Sequence, residues 1–250
     1  MKMAQVPKHP SARMALTILS GAACALLIIA NVALARDVER TWDSLVRVKS
    51  GNVDEAYLLP GANFSQYSKL MITPAEVAFQ KNWLRDMNNQ AMSLSRRVSD
   101  KDANRILEAA RSGFDEIWVN AFKSAGFEVV TAPGPDVLKL TPAVLNLYIN
   151  APDIRSADRV QTYTIEAGHA VLDLEIRDSV SGALLGRAVD KRVAGPRVGQ
   201  LRWTTGVSNR ADFRRLFMQW AKIAADGLKE LQQISPLPEA IEPNRKLPGD

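Results

Sequence analysis

Gly168 to Val193, GHAVLDLEIRDSVSGALLGRAVDKRV, reads as a β-hairpin around which the rest of the chain is arranged. In the first arm Ala170, Leu172, Leu174 and Ile176 alternate with His169, Val171, Asp173, Glu175 and Arg177. That period of two gives one apolar face and one mostly polar face. The apolar face has to lie against a core, because a slip of one residue would turn it to water. Asp178-Ser179-Val180-Ser181-Gly182 carries turn chemistry, since Asp and Ser bond nearby backbone and Gly tolerates positive φ. In the second arm Leu184 and Leu185 are both apolar and Gly186 interrupts. A bulge near Gly186 is expected to reconcile the two faces.

Upstream, Val137 to Asn150 reads as a strand with Pro142 inside it, and Phe127 to Thr131 as a shorter one. Phe64 to Phe79 reads as the first strand, which Pro74 makes an edge or bends. Arg36 to Tyr57 has mixed charge and reads as a docking segment or a helix turn. Two helices stand out. Ser99, with Asp102 three residues on, opens one that Gly126 closes. Asp212 to Gln233 carries a stripe through Phe213, Leu216, Phe217, Trp220, Ala224, Leu228 and Leu231, the pattern of a core-facing helix. The fold class that follows is α+β, a mostly antiparallel sheet of about five strands with two long helices packed on one face. The polar row of the hairpin leaves the other face wet. From residue 234 the chain is Pro-rich and reads as a mobile tail. Residues 36–233 are expected to form a single domain.

The first 35 residues read as a targeting segment. Lys2, Lys8 and Arg13 precede an apolar run from Met14 to Ala35, and Ala33-Leu34-Ala35 offers small residues at the positions signal peptidase reads. Cleavage after Ala35 and a periplasmic protein are expected. The run is also long enough to stay as an uncleaved anchor. Cys24, the one cysteine, is a candidate for lipidation, although Gly21 stands where lipoprotein signals usually carry Leu. Cleavage after Ala35 would leave a mature chain without thiol or disulfide chemistry. Three of the 32 basic residues and none of the 27 acidic ones fall in residues 1–35, which leaves 29 against 27 beyond them. The high pI is therefore partly a property of the targeting segment, and nucleic acid is not expected as a partner.

Several stretches resemble a bacterial family catalogued as a domain of unknown function, made of exported and often lipid-anchored proteins. They are Pro60-Gly61-Ala62-Asn63-Phe64-Ser65-Gln66-Tyr67, Gly126 to Val130 with Pro133 and Asp136-Val137-Leu138, Gly168 to Asp190, and Phe213 with Trp220-Ala221. The resemblance spans residues 42–232. It implies an envelope protein and supplies no reaction and no catalytic residues.

The residues themselves point the same way. Beyond the targeting segment the one histidine is His169, on the polar row with Asp173 and Glu175. A hydrolase would have to use His169 with those carboxylates, and no G-x-S-x-G elbow accompanies it. One His without Cys does not make the common zinc sets. Neither a Walker loop nor G-x-G-x-x-G occurs. No catalytic residue, metal or cofactor is expected. The leading expectation is a non-enzymatic binding or assembly module with an envelope protein partner. It would touch membrane only through an uncleaved or lipidated N-terminus. A lipid-binding module, which needs an apolar cavity under the sheet, is a further alternative.

The hairpin also places a candidate site. Its turn lies at one end of the sheet, so residues 166 and 194 lie at the other, and the segments 151–166 and 195–209 become neighbours. They carry Arg155, Arg159, Tyr163, Arg197, Arg202 and Trp203. Arginine grouped with aromatic residues suits carboxylate, phosphate or acidic-surface partners, so these six are the expected binding residues.

Overall fold

The alternation in the first hairpin arm is an alternation of burial. In the computed structural model, which describes residues 41–42, 44–91, 94, 97–150, 162–164, 167–195, 202–204 and 206–246, Ala170, Leu172, Leu174 and Ile176 are buried. His169, Val171, Asp173 and Glu175 are only half-buried. The order of elements is β1 (Thr41–Trp42), β2 (Leu45–Val48), β3 (Glu55–Leu58), β4 (Lys69–Ile72), β5 (Glu76–Phe79), α1 (Trp83–Gln90), α2 (Asp100–Ser124), β6 (Glu128–Val129), β7 (Val137–Ile149), β8 (Thr162–Thr164), β9 (Gly168–Asp178), β10 (Leu184–Ala194), β11 (Arg202–Thr204) and α3 (Gly206–Ile234).

The fold is mixed α+β with a mostly antiparallel sheet. Among the described residues that sheet has nine strands where about five are expected, in the order β1-β2-β3-β10-β9-β7-β4-β6, with β5 also on β7. The extra strands have two sources. The segment expected as a docking segment or helix turn supplies β1, β2 and β3, which pair antiparallel and join β10. The strand expected over Phe64–Phe79 is broken into β4 and β5, each parallel to a different half of β7. The break falls at Pro74, opposite Thr141 and Pro142 of β7, where two prolines remove two ladder donors at one level. The free N–H of Ala75 is taken up by the Asp115 carboxylate of α2 at 2.9 Å.

In the hairpin, the β10–β9 register shifts between Leu184 and Gly186, the bulge that the paired leucines call for. Leu185, Asp190 and Ala194 consequently share the buried side. The turn is held by the Asp178 carboxylate, which accepts the N–H groups of Val180 and Ser181 at 3.0 and 2.6 Å.

Helix α2 starts with a full capping box, Asp102 N–H donating to Ser99 Oγ at 3.1 Å and Ser99 N–H to Asp102 Oδ2 at 3.4 Å. It buries Phe114, Ile117, Trp118 and Phe122. The stripe of α3 buries Phe213, Leu216, Phe217, Trp220 and Leu228 in the same core as the apolar row of β9. Phe114 and Phe217 meet edge to face at 5.2 Å where the two helices touch. Helix α1 is an addition that no capping or periodic signal announces. Its N-cap Asn82 sits at φ 67 with no side-chain cap, and Trp83 is the one residue of that helix that is buried.

The C-terminal segment differs from the mobile tail expected of its prolines. As far as it is described, it runs along the domain. Leu237 is 3% exposed and donates its N–H to Ala62 O at 2.9 Å, while Pro238 O accepts from Gly61 at 3.0 Å. Further on, Asn244 N–H reaches Arg47 O at 2.8 Å and Lys49 N–H reaches Arg245 O at 3.1 Å. Backbone pairing of this kind needs no hydrophobic period, so the sequence does not display it.

Candidate functional site

At the open end of the hairpin Gly168 pairs with both Ile149 of β7 and Ala194 of β10. The backbone there is unusually close. A Cβ on Gly168, at φ 152, would lie 1.8 Å from Tyr148 O and 3.0 Å from the Phe213 ring. Only glycine fits, and its lack of a side chain lets the start of α3 lie against the sheet.

Beside this contact a groove of about 270 Å³ opens between α2, α3 and the end of β7. Its walls are Ile106 and Ile117 of α2, Leu147 and Ile149 of β7, and Phe213 and Phe217 of α3. The room arises on α2, where Ala109, Ala110 and Gly113 present small groups to the facing helix. A Cβ on Gly113 would meet nothing within 4 Å. Among the described residues the charged ones that line the groove are arginines, Arg105 on α2 and Arg210 and Arg214 on α3. Arg105 is anchored by Asp102 at 3.1 Å, and the buried Asp212, just behind the rim, is paired with Arg215. The spacing by four in Arg105-Ala109-Gly113 and in Arg210-Arg214 is the sequence signal for these faces.

A second cleft of about 150 Å³ lies between the sheet and the C-terminal half of α3. Ala56 and Ala188 on the strands face Ala224 and Gly227 on the helix, and these small residues leave the gap.

Of the six expected binding residues, Arg155, Arg159 and Arg197 lie outside the described residues. Tyr163, Arg202 and Trp203 fall on β8 and β11, which pair antiparallel with Trp203 opposite Tyr163 and Arg202 opposite Thr164. The strand β11 ends two residues before α3 begins. Cys24 and the cleavage site after Ala35 also lie outside the described residues.

The polar row of β9 is engaged by its surroundings. His169 Nε2 meets the Gln80 amide oxygen at 2.9 Å, and its ring stacks on Tyr148 at 5.3 Å. Asp173 is held by Arg187, and Glu175 by Arg177 at 2.9 Å. Among the described residues no group of three His, Cys, Asp or Glu is placed to hold a metal ion. None of their helices is long and apolar enough to cross a membrane.

Two solved structures are similar at low identity. One is a PelC dodecamer from Paraburkholderia phytofirmans, 12% identical over 67% of this chain and 96% of that one, with a TM-score of 0.35. The other is a protein of family-model DUF330 from Xanthomonas campestris, 11% identical over 74% and 91%, with a TM-score of 0.38. No curated protein matches the chain. The model of the family described as "Protein of unknown function (DUF3313)" matches residues 36–224, and the chain belongs to that family.

Proposed function

We propose that the protein is an exported, non-enzymatic binding module of the cell envelope whose binding end is the open end of the hairpin. The observation that carries this reading is Gly113. A glycine inside a helix costs about 1 kcal/mol relative to alanine. Nothing within 4 Å of a Cβ at Gly113 requires the small residue, so its effect is to keep the groove between α2 and α3 open. Of the six expected binding residues, Tyr163, Arg202 and Trp203 lie on the β8–β11 pair, whose β11 ends two residues before α3, and on this reading Arg155, Arg159 and Arg197 serve the same binding end. The basic start, apolar run and Ala33-Leu34-Ala35 support export with cleavage after Ala35. Retention by lipidation at Cys24 or as an uncleaved anchor is the alternative, and mass spectrometry of the mature N-terminus separates the three. The partner on this reading is another envelope component, and no cofactor is involved.

The test is crosslinking in intact cells from a photoreactive residue at Arg214, in chains that carry either Gly113 or Gly113→Trp. Envelope products that appear with Gly113 and vanish with the tryptophan support the reading. Products unaffected by filling the groove, or none at all, overturn it.

A further inference from the structure

We infer that the groove between α2 and α3 takes an anionic amphiphile, a single hydrocarbon chain ending in an oxyanion head. The inference rests on the reading of that groove as the binding end. Its first support is the division of the groove by chemistry. The walls of isoleucine, leucine and phenylalanine offer a hydrocarbon surface and leave a chain no hydrogen-bond partners to satisfy. The rim carries guanidinium groups from both helices, Arg105 from one side and Arg210 and Arg214 from the other, each with several N–H donors, and among the described residues no carboxylate lines the groove.

Guanidinium groups match the planar, two-oxygen face of a carboxylate or the oxygens of a phosphate, and they bond these more strongly than neutral groups. Arg105 already gives one N–H to Asp102, but a guanidinium has five N–H donors and can serve a carboxylate and a ligand together. Arg210 and Arg214, one helical turn apart, stand on the same side of α3.

The second support is size. At about 270 Å³ the groove sits at the lower edge of small-molecule sites, which run from roughly 300 to 1,000 Å³. That is room for one chain lying along the helices, with its head at the arginines. Anionic lipids and free fatty acids share this chemistry, while a free inorganic anion would use only the rim.

The experiment compares dodecanoic acid, dodecanol and inorganic phosphate by calorimetric titration against the chain as isolated from the envelope, with the amphiphiles below their micelle concentrations. Dodecanoate is expected to bind at least tenfold more tightly than dodecanol, and phosphate alone more weakly than dodecanoate. The double change Arg210→Gln and Arg214→Gln should bring dodecanoate down to the level of dodecanol and leave dodecanol unchanged. Gly113→Trp should remove both, with Gly113→Leu as a smaller plug if the tryptophan chain melts early.

Equal binding of acid and alcohol, or indifference to the arginine changes, overturns the anionic head. Dodecanoate binding that survives a plugged, folded chain places it elsewhere and overturns the inference. If no amphiphile binds while crosslinks from Arg214 still depend on Gly113, the inference falls and the binding end stands. If both are absent, both fall.

Discussion

Trp220 donates its indole N–H to the buried carboxylate of Asp190 at 2.7 Å, and that bond fastens the last helix to the second arm of the hairpin. The same carboxylate accepts the N–H of Asp54 at 3.2 Å and is paired with Arg192. Arg192 in turn reaches Asn52 O at 2.8 Å, and Asp54 takes the N–H of Lys191 at 2.9 Å. One acidic side chain thus ties helix, hairpin and the β2–β3 turn. Asp190→Ala leaves an indole and a backbone N–H without their acceptor and Arg192 without its carboxylate, and should cost about 3–5 kcal/mol. Trp220→Phe loses one hydrogen bond and part of a ring and should cost less, about 1–3 kcal/mol. Denaturant titration at neutral pH checks the order. An Asp190→Ala chain as stable as Trp220→Phe would show that the carboxylate does not unite the three elements.

Gly168→Ala is the sharper test of the site's scaffold. The new methyl would meet Tyr148 O at 1.8 Å, against backbone that has no flexible end to move aside. Overpacking usually costs about 1–3 kcal/mol, and a clash with a ladder carbonyl belongs at or above the top of that range. The expected outcome is a loss of about 3 kcal/mol with early exchange of the amides near Ile149 and Ala194. A midpoint within error of the parent would mean that the strands are not this close in solution.

What could be read from the sequence is what is local. The β9 alternation, the Gly186 bulge, the Ser99–Asp102 box and the α3 stripe each lie within a few residues of one another and impose their geometry directly. The small strands were hidden because Leu45 and Val46 are adjacent apolar residues and each of β2 and β3 is only four residues long. Their pairing is decided by β10, more than a hundred residues away. Helix α1 owes its place to Trp83, which packs on Phe79 at 3.8 Å and donates to Ile149 O at 3.1 Å, contacts that no helical period encodes. The groove is harder still to read. Arg105 and Arg214 become neighbours of one cavity only after two distant helices pack, so a search for arginine along the loops reaches Arg155, Arg159, Arg197 and Arg202 and passes over the helical ones.

Alkaline stability should turn on Tyr67. Burial, then a hydrogen bond to Asp178 at 2.9 Å, pushes its phenol up from 10.0 to about 12. A raised value in the folded state contributes stability in full below pH 10. Between pH 10 and about 12 the unfolded chain releases the proton first, so this contribution, on the order of 2 kcal/mol, disappears. Asp178 has the opposite sense. The Ser181 N–H and hydroxyl hold its carboxyl below the usual range, so its contribution is present above the ordinary carboxylate value and lost as pH falls through the folded one. Tyr67→Phe should flatten the alkaline limb and, by removing one of the hydrogen bonds that hold Asp178 down, weaken the acid limb only slightly. Melting curves at half-unit steps over roughly pH 3 to 12 check both. An alkaline limb unchanged by the substitution would remove Tyr67 from the account.

The last prediction separates open space from required space. Gly227 on α3 lines the cleft against the sheet, and a Cβ there, as at Gly113, would meet nothing within 4 Å. Alanine at either position should therefore stabilise by about 0.5–1 kcal/mol, through helix propensity and a less flexible unfolded chain. The two gains should add, because the glycines line different cavities. Gly227→Leu goes further by placing apolar atoms against Ala56 and Ala188, and it should match or exceed the alanine. A leucine chain that melts below the alanine one would mean that α3 sits closer to the sheet than the cleft implies. With the helix-propensity gain measured by the alanines, a leucine at Gly113 that keeps the domain as stable gives a chain in which lost ligand binding reports the groove itself rather than a weakened fold.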